Sequence, residues 1–318
     1  MTRPDSGRIV VVGSLNADLT IYCDRLPLPG ETVHGNGFAV NPGGKSANQA
    51  VAAAKLGSRV VLIGAVGDDT NGTMLLASTA GAGVDISRVR RTPDAATGVA
   101  VISVDAHGEN NIIISAGANG TLAPGDVAAS AELFEGASVM CLCLEVGLDT
   151  VEAAARLGHD AGATVLLNLS PYAEIQASLA ALCDILLVNA HEASLFLGGA
   201  AVPDAGADTA AWAPVRDKFA DRGLHRVVVT LGANGSVVLD SGAGAEGRIT
   251  RIEPTRVDAK DTTGAGDAFT GAVAARLAAG DSLPAAAAFA SVAAALAATR
   301  KGTQTAYPKA ADVEGLLA

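Results

Sequence analysis

Aromatic side chains are scarce in this 318-residue sequence: six Phe, three Tyr and one Trp make up 3% of it. With 49% of residues hydrophobic, the core has to be built largely from Ala, Val and Leu, and that is ample for a globular fold. Positive charge is also in short supply. Lys and Arg number 22 against 33 Asp and Glu, a formal net charge of -11, which argues against a nucleic-acid partner because phosphate backbones are bound by clustered basic side chains. Any anionic ligand therefore needs a locally built site. The four cysteines, Cys23, Cys141, Cys143 and Cys183, show no C-x-x-C spacing and fall mostly in apolar runs, so reduced core thiols are expected. No apolar run reaches spanning length. The longest uncharged stretch, LPAAAAFASVAAALAAT (283–299), is mostly alanine and begins at Leu283 and Pro284, which favours a buried helix over a membrane segment. The opening MTRPDSGRIVVVGS has no apolar h-region before a cleavage site and runs straight into a strand, so a cytoplasmic protein is expected.

Strand-like and helix-like segments alternate along most of the chain, the pattern of a parallel sheet covered by helices. IVVVGS (9–14), VVLIGAVG (60–67), SVMCLCLE (138–145), TVLLNLS (164–170), DILLVN (184–189) and RVVVTLG (226–232) are near-continuous apolar runs suited to strands buried on both faces. KSANQAVAAAKLG, ending at Gly57, and DTVEAAARLG, ending at Gly158, are helical. Residues 17–41 and 97–116 break this rhythm with short alternating strands, the second pair turning at His107-Gly108; they predict a small antiparallel sheet, a lid over a cleft. GAGAEG (242–247) is expected to be a mobile surface turn. No internal repeat is present.

The segment DTTGAGDAFTG (261–271) places glycines where a helix begins. The first helical turn leaves amide N–H groups without intrahelical partners, and glycine lets a ligand come close to them, which makes an anion hole. Asp267 falls in that first turn, where the helix dipole favours its ionised form. A carboxylate there can accept a proton from a hydroxyl attacking a bound phosphoryl group. Taken alone, Asp near a helix start is also a common capping choice. AVNPGGKS (39–46) imitates a P-loop but has Ala39 at the first glycine position and follows a lid strand; Lys45 and Asn48 are better suited to hydrogen-bonding a small polar ligand. GSLNAD puts Asn16 and Asp18 just beyond the carboxyl end of a central strand, where ligands of open parallel sheets gather. Asp18 can accept bonds from two neighbouring hydroxyls, and an Asx turn is the plain structural alternative. Glu145, at the end of VMCLCLE, is a carboxylate that needs partners or a ligand.

Taken in order, GSLNAD, GGKSANQA, ISAGAN (114–119), VNAHEA (188–193), TLGANG (230–235), DTTGAGDAFTG and ATRKG (298–302) resemble the ribokinase-like, or PfkB, sugar kinases over nearly the whole chain. The motifs lie nearest the ribose-phosphorylating subgroup. The resemblance implies an α/β three-layer sandwich with a mostly parallel central sheet and a small β-sheet lid, as one unit over 1–318. It implies ATP, Mg²⁺ and K⁺ as cofactors, phosphorylation of D-ribose at O5, and a homodimer formed through the lid. Asp267 becomes the general base, with Gly264, Ala265 and Gly266 supplying amides to the transferred phosphoryl group. Asn16, Ala17, Asp18, Gly44, Lys45, Ser46, Asn48 and Glu145 fall at sugar-binding positions. Asn189 and Glu192 match the N-x-x-E motif that positions Mg²⁺ through water; Thr230, Leu231, Gly232, Ala233, Asn234, Gly235 and Ser291 line the nucleotide. Asp261, Thr263, Ala297, Arg300 and Gly302 match a monovalent-cation site. Two departures stand out: G-G-K-G becomes GGKS, so Ser46 is expected to tighten or re-aim the sugar loop, and Ala306 replaces a serine of the cation loop. Deoxyribose, fructose or a nucleoside as acceptor, and a non-catalytic sugar sensor, are the alternatives.

Overall fold

The computed structural model describes residues 7–107, 109–204, 206–244 and 248–317. Gly108, in the expected turn, and residues 245–247 of GAGAEG lie outside them. Thirteen strands are described: β1 (Arg8–Val12), β2 (Asn16–Cys23), β3 (Gly35–Gly43), β4 (Val60–Gly67), β5 (Asp85–Thr92), β6 (Gly98–Val104), β7 (Asn110–Ser115), β8 (Ala137–Leu142), β9 (Thr164–Asn168), β10 (Ile185–Asn189), β11 (Arg226–Thr230), β12 (Ser236–Asp240) and β13 (Ile249–Ile252). The helices are α1 (Lys45–Lys55), α2 (Thr70–Gly81), α3 (Pro124–Ala128), α4 (Leu148–Asp160), α5 (Ala177–Ala180), α6 (Ala190–Phe196), α7 (Ala213–Ala220), α8 (Ala265–Ala278), α9 (Leu283–Ala298) and α10 (Ala310–Leu317).

Nine strands form one sheet in the order β13-β12-β11-β10-β9-β8-β1-β4-β5. Every pairing from β11 to β5 is parallel, and β12 runs antiparallel to both its neighbours. The apolar runs are buried on both faces because alternate residues serve two cores. On β1, Ile9 and Val11 join α1, α8 and α9 on one side. Val10 and Val12 face the other side, with residues of α4, α6 and α7. The alanine-rich α9 is indeed a core helix, and α8 is buried along nearly all its length. Among the described residues no helix is long and apolar enough to cross a membrane.

A second sheet of four strands, β3-β2-β6-β7, takes its strands from the two segments that broke the alternation. One expectation needs correcting: the sheet is not wholly antiparallel, because β2 and β6 pair in parallel, Asn16 opposite Gly98 through Tyr22 opposite Val104. This follows from connectivity. β2 and β6 each leave the large sheet in the same direction, and the antiparallel returns β3 and β7 sit outside them. A second correction concerns Gly158, which does not end its helix. α4 continues to Asp160, and Gly158 is an internal residue closely apposed to the Met140 side chain. Its lack of a side chain serves packing there.

Candidate active site

The parallel strands end along one edge, and the site is assembled there. β1 stops at Val12, opposite Leu142 of β8, and the chain continues through Ser14 into Asn16 and the small sheet. Returning along β3, it enters α1 through Gly44, whose φ of 91° and close approach to the backbone of Leu15 and Asn16 leave no room for a side chain. This brings the start of α1 against the end of β8. Glu145 Oε2 accepts hydrogen bonds from Lys45 N (2.9 Å), Ser14 Oγ (2.5 Å) and Asn16 Nδ2 (3.4 Å). Asn16 is 2% exposed, and its Oδ1 accepts from Asn119 Nδ2 at 2.7 Å. Asn119 also pairs with the backbone of Leu15 in both directions. The Asn16 carboxamide is thus held at both ends with one N–H left over.

Asp267 enters from the other side. Gly264 precedes α8 in the left-handed conformation (φ 71°), and its carbonyl accepts from Tyr307 Oη at 3.1 Å. The turn aims Asp267 inward, where it is 7% exposed. Its Oδ2 accepts from Asn48 Nδ2 at 2.9 Å and its Oδ1 from Gln49 Nε2 at 3.4 Å. Burial opposes the charge of Lys45, but Asp267 and Glu145 outweigh it and hold the ammonium above its ordinary range. Asp18 responds in the opposite sense: burial, then Glu145 and Asp267, push its pKa up to about 7 against the pull of Lys45. Among the described residues no group donates a hydrogen bond to the Asp18 carboxyl. Three carboxyl groups and one ammonium therefore act on one another at this edge of the sheet.

Ser46 does not join them. Its hydroxyl is fully buried, 3.0 Å from Cys143 Sγ and packed over Gly13, so the side chain faces the core and cannot re-aim the sugar loop. The thiol of Cys143 is itself pushed up to about 12 by burial and by Glu145. All four cysteines are reduced and buried, as expected. Ala17 contributes backbone at the start of β2, beside Asp18.

Farther along the same edge, Asn189 ends β10 beside Thr230 of β11. Asn189 and Glu192 form a reciprocal cap: Glu192 N donates to Asn189 Oδ1 (2.8 Å) and Asn189 N donates to Glu192 Oε2 (2.9 Å). Leu231, Gly232, Ala233, Asn234 and Gly235 make a tight turn, closed by Leu231 N donating to Gly235 O at 2.8 Å. Ser291, on α9, donates to Glu253 O just past β13. Behind Gly264, Asp261 receives Thr263 N on Oδ1 and Gly302 N on Oδ2, both at 3.0 Å. Burial works against that carboxylate, yet these amides hold its pKa below the ordinary value. Ala298 O accepts from Lys260 N and Asp261 N, and Arg300 N donates to Ala297 O, which joins the end of α9 to this loop.

A family model for pfkB family carbohydrate kinases matches residues 6–310. The chain belongs to that family. This kinase is 35% identical over 314 residues to ribokinase of Schizosaccharomyces pombe, covering 96% of each protein. It is 36% identical over 301 residues to deoxyribokinase of Salmonella typhi, covering 94% of this chain and 95% of that one. In three dimensions it is similar to Arabidopsis thaliana ribokinase complexed with ribose and ATP, with a TM-score of 0.88, 31% identity and coverage of 98% of this chain and 99% of that one. Sequence reasoning about the kinase does not single out Asn119, Gln49, Gln304 or Tyr307. Asn119 closes the motif ISAGAN, and Gln49 lies inside GGKSANQA, so both carry a local signal; Gln304 and Tyr307 lie beyond ATRKG.

Proposed function

We propose that this kinase transfers the γ-phosphoryl group of ATP to the 5-hydroxyl of D-ribose. The observation that carries the reading is Asp267, buried in the first turn of α8, tied to Asn48 and close enough to Asp18 and Lys45 to act, with Glu145, on the charge of both. In this reading Asp267 accepts the proton of the attacking hydroxyl on a remaining lone pair, while Asn48 and Gln49 each hold one carboxylate oxygen and fix its aim. Asp18 accepts hydrogen bonds from two adjacent ring hydroxyls, while Lys45, Glu145 and the last N–H groups of Asn16 and Asn48 complete the sugar site. The amides of Gly264, Ala265 and Gly266 point charge-stabilising dipoles at the transferred group.

Thr230–Gly235 and Ser291 flank the nucleotide in this reading. Asn189 and Glu192 fit magnesium held through water: one Glu192 oxygen is used by the cap, and a lone carboxylate suits an ion that keeps most of its hydration. Magnesium bound with ATP supplies charge neutralisation on the phosphate oxygens. The loop of Asp261, Thr263, Ala297, Arg300 and Gly302 fits a potassium ion, because it combines one firmly ionised carboxylate with backbone carbonyls. The four-stranded sheet acts as the lid that excludes water. Its outer strands expose Phe38 (65%), Val40 and Ile113 (72%) on the face opposite Asp18, and pairing with a second copy through this face covers them.

Deoxyribose is the second reading, favoured by the Salmonella relative at essentially the same identity. A pocket that pairs every hydroxyl discriminates against an analogue lacking one, since its own polar groups are then stranded. A coupled assay of ADP formation across ribose, deoxyribose, fructose and nucleosides, with and without potassium, tests the proposal. Ribose giving the highest kcat/KM is the expected result; a clear preference for another acceptor overturns it.

A further inference from the structure

We infer that Gln304 is a positioning residue for Asp267, acting by holding the Asn48 carboxamide with its nitrogen toward the acid. The inference rests on the reading of Asp267 as the base. It concerns a residue outside every motif that carries the family resemblance.

Asn48 and Gln304 are 4% and 3% exposed, so neither amide can satisfy itself with bulk water. Gln304 Nε2 donates to Asn48 Oδ1 at 3.1 Å, and Asn48 Nδ2 donates to Asp267 Oδ2 at 2.9 Å. At the far end, Ser78 Oγ donates to Gln304 Oε1 at 3.2 Å. All three donors point toward Asp267. An ionised carboxylate only accepts, so the end of Asn48 that meets it has to be the NH₂ group. Asn48 turned over would place its oxygen against the carboxylate and its NH₂ against the NH₂ of Gln304, two repulsive contacts in a water-poor site. Gln304 is anchored on both sides of this contact. Its own oxygen is engaged by Ser78, and its backbone carbonyl is gripped by Lys55 Nζ at 2.5 Å, which also reaches Tyr307 O at 3.3 Å. The loop that follows α9 is thereby wired to the proton acceptor 37 residues earlier in the chain, through a side chain 256 residues from its partner.

Replacing Gln304 removes the donor that selects one Asn48 rotamer. Asp267 then loses a fixed hydrogen bond and is less well aimed. The charged or titratable groups that face it from neighbouring elements, Asp18, Lys45, Cys141 and Tyr307, are unchanged by the substitution.

The test compares full-length wild type with Gln304→Met, which keeps the volume without charge or donor, and with Gln304→Glu. Ribose phosphorylation by ATP is followed across ribose and ATP concentrations, with thermal unfolding as the folding control. Gln304→Met should lower kcat about tenfold while leaving the KM values for ATP and for ribose within about twofold. Gln304→Glu should do the same more strongly; if it does not fold, the neutral variant alone decides. A kcat within about twofold of wild type in a folded Gln304→Met protein, or a loss carried by KM with kcat retained, overturns the inference while the kinase reading stands. Absence of turnover by the wild type on every sugar overturns both.

Discussion

The phenolic oxygen of Tyr307 donates to the carbonyl of Gly264, the residue that turns the chain into α8 and its acidic first turn. The contact links the C-terminal loop to the proposed anion hole, and Tyr307 is 2% exposed with its own ionisation pushed far up by burial. It is therefore a permanent donor. Tyr307→Phe should cost about 1 kcal/mol of stability, the usual net value of one hydrogen bond, and lower kcat more than it raises the KM for sugar. Gly264→Ala should be worse. The left-handed backbone alone costs about 1–2 kcal/mol for a residue with a side chain, and the added methyl collides with Thr303 Cγ2. Chemical denaturation of both variants and a steady-state assay check this; a fully active Gly264→Ala enzyme would contradict it.

Asp18 gives two pH effects of opposite sign. Its folded pKa, about 7, lies above the ordinary 3.8, so between these values the folded chain retains a proton that the unfolded chain has released. The resulting stabilisation is complete below the unfolded value and is lost as pH rises through the folded one. The Tm of wild type relative to Asp18→Asn should therefore fall on going from about pH 4 to about pH 8. Sugar hydroxyls need the ionised acceptor, so the KM for ribose should fall over the upper part of the same range. A pH-independent Tm difference would refute the first, and a KM that rises with pH would refute the second.

Lys45 is the cation that keeps three acids compatible. Lys45→Met removes the one lowering influence on Asp18 and leaves Glu145 and Asp267 to push it further up. The variant should bind sugar poorly at neutral pH and recover part of that binding at higher pH. Recovery on acidification instead would show that Lys45 contacts the ligand without tuning its neighbours.

The site is legible where chemistry is written in short spans. The glycines of 264–266 and Asp267 announce a helix start suited to an anion, and Glu145 follows an apolar strand by so few residues that it has to sit at the sheet edge. Other features need the third dimension. Gln304 finds Asn48 only because α8 packs against both α1 and α9, which brings the loop after α9 back to α1, and nothing near it in sequence says so. Ser46 departs from expectation for a local reason: on α1, residues 45, 48 and 49 share the face toward the cleft, and position 46 is turned roughly 100° away from Lys45. β5, DISRVRRT, completes the large sheet as an edge strand, and its charged, half-exposed residues lack the apolar signature that reveals the central strands.

Asn119 separates the role of Asn16 from that of a ligand-binding group. Asn119→Ala leaves Asn16 Oδ1 buried without its donor, so a loss of about 1–3 kcal/mol in stability is expected. The KM for sugar should rise because Glu145 and the start of β2 are less well placed. Unchanged stability with unchanged KM would show that Asn119 has no part in shaping the site.

The central claim is that Asp267 takes the proton from the attacking hydroxyl. Asp267→Asn keeps the size of the side chain, and its amide oxygen can still accept from Asn48 Nδ2, but it cannot act as a base. The most direct measurement pairs the kcat of this variant with its affinity for ATP. A fall in kcat of roughly 10²- to 10⁴-fold with ATP affinity retained is the predicted result, and turnover close to wild type would contradict the account.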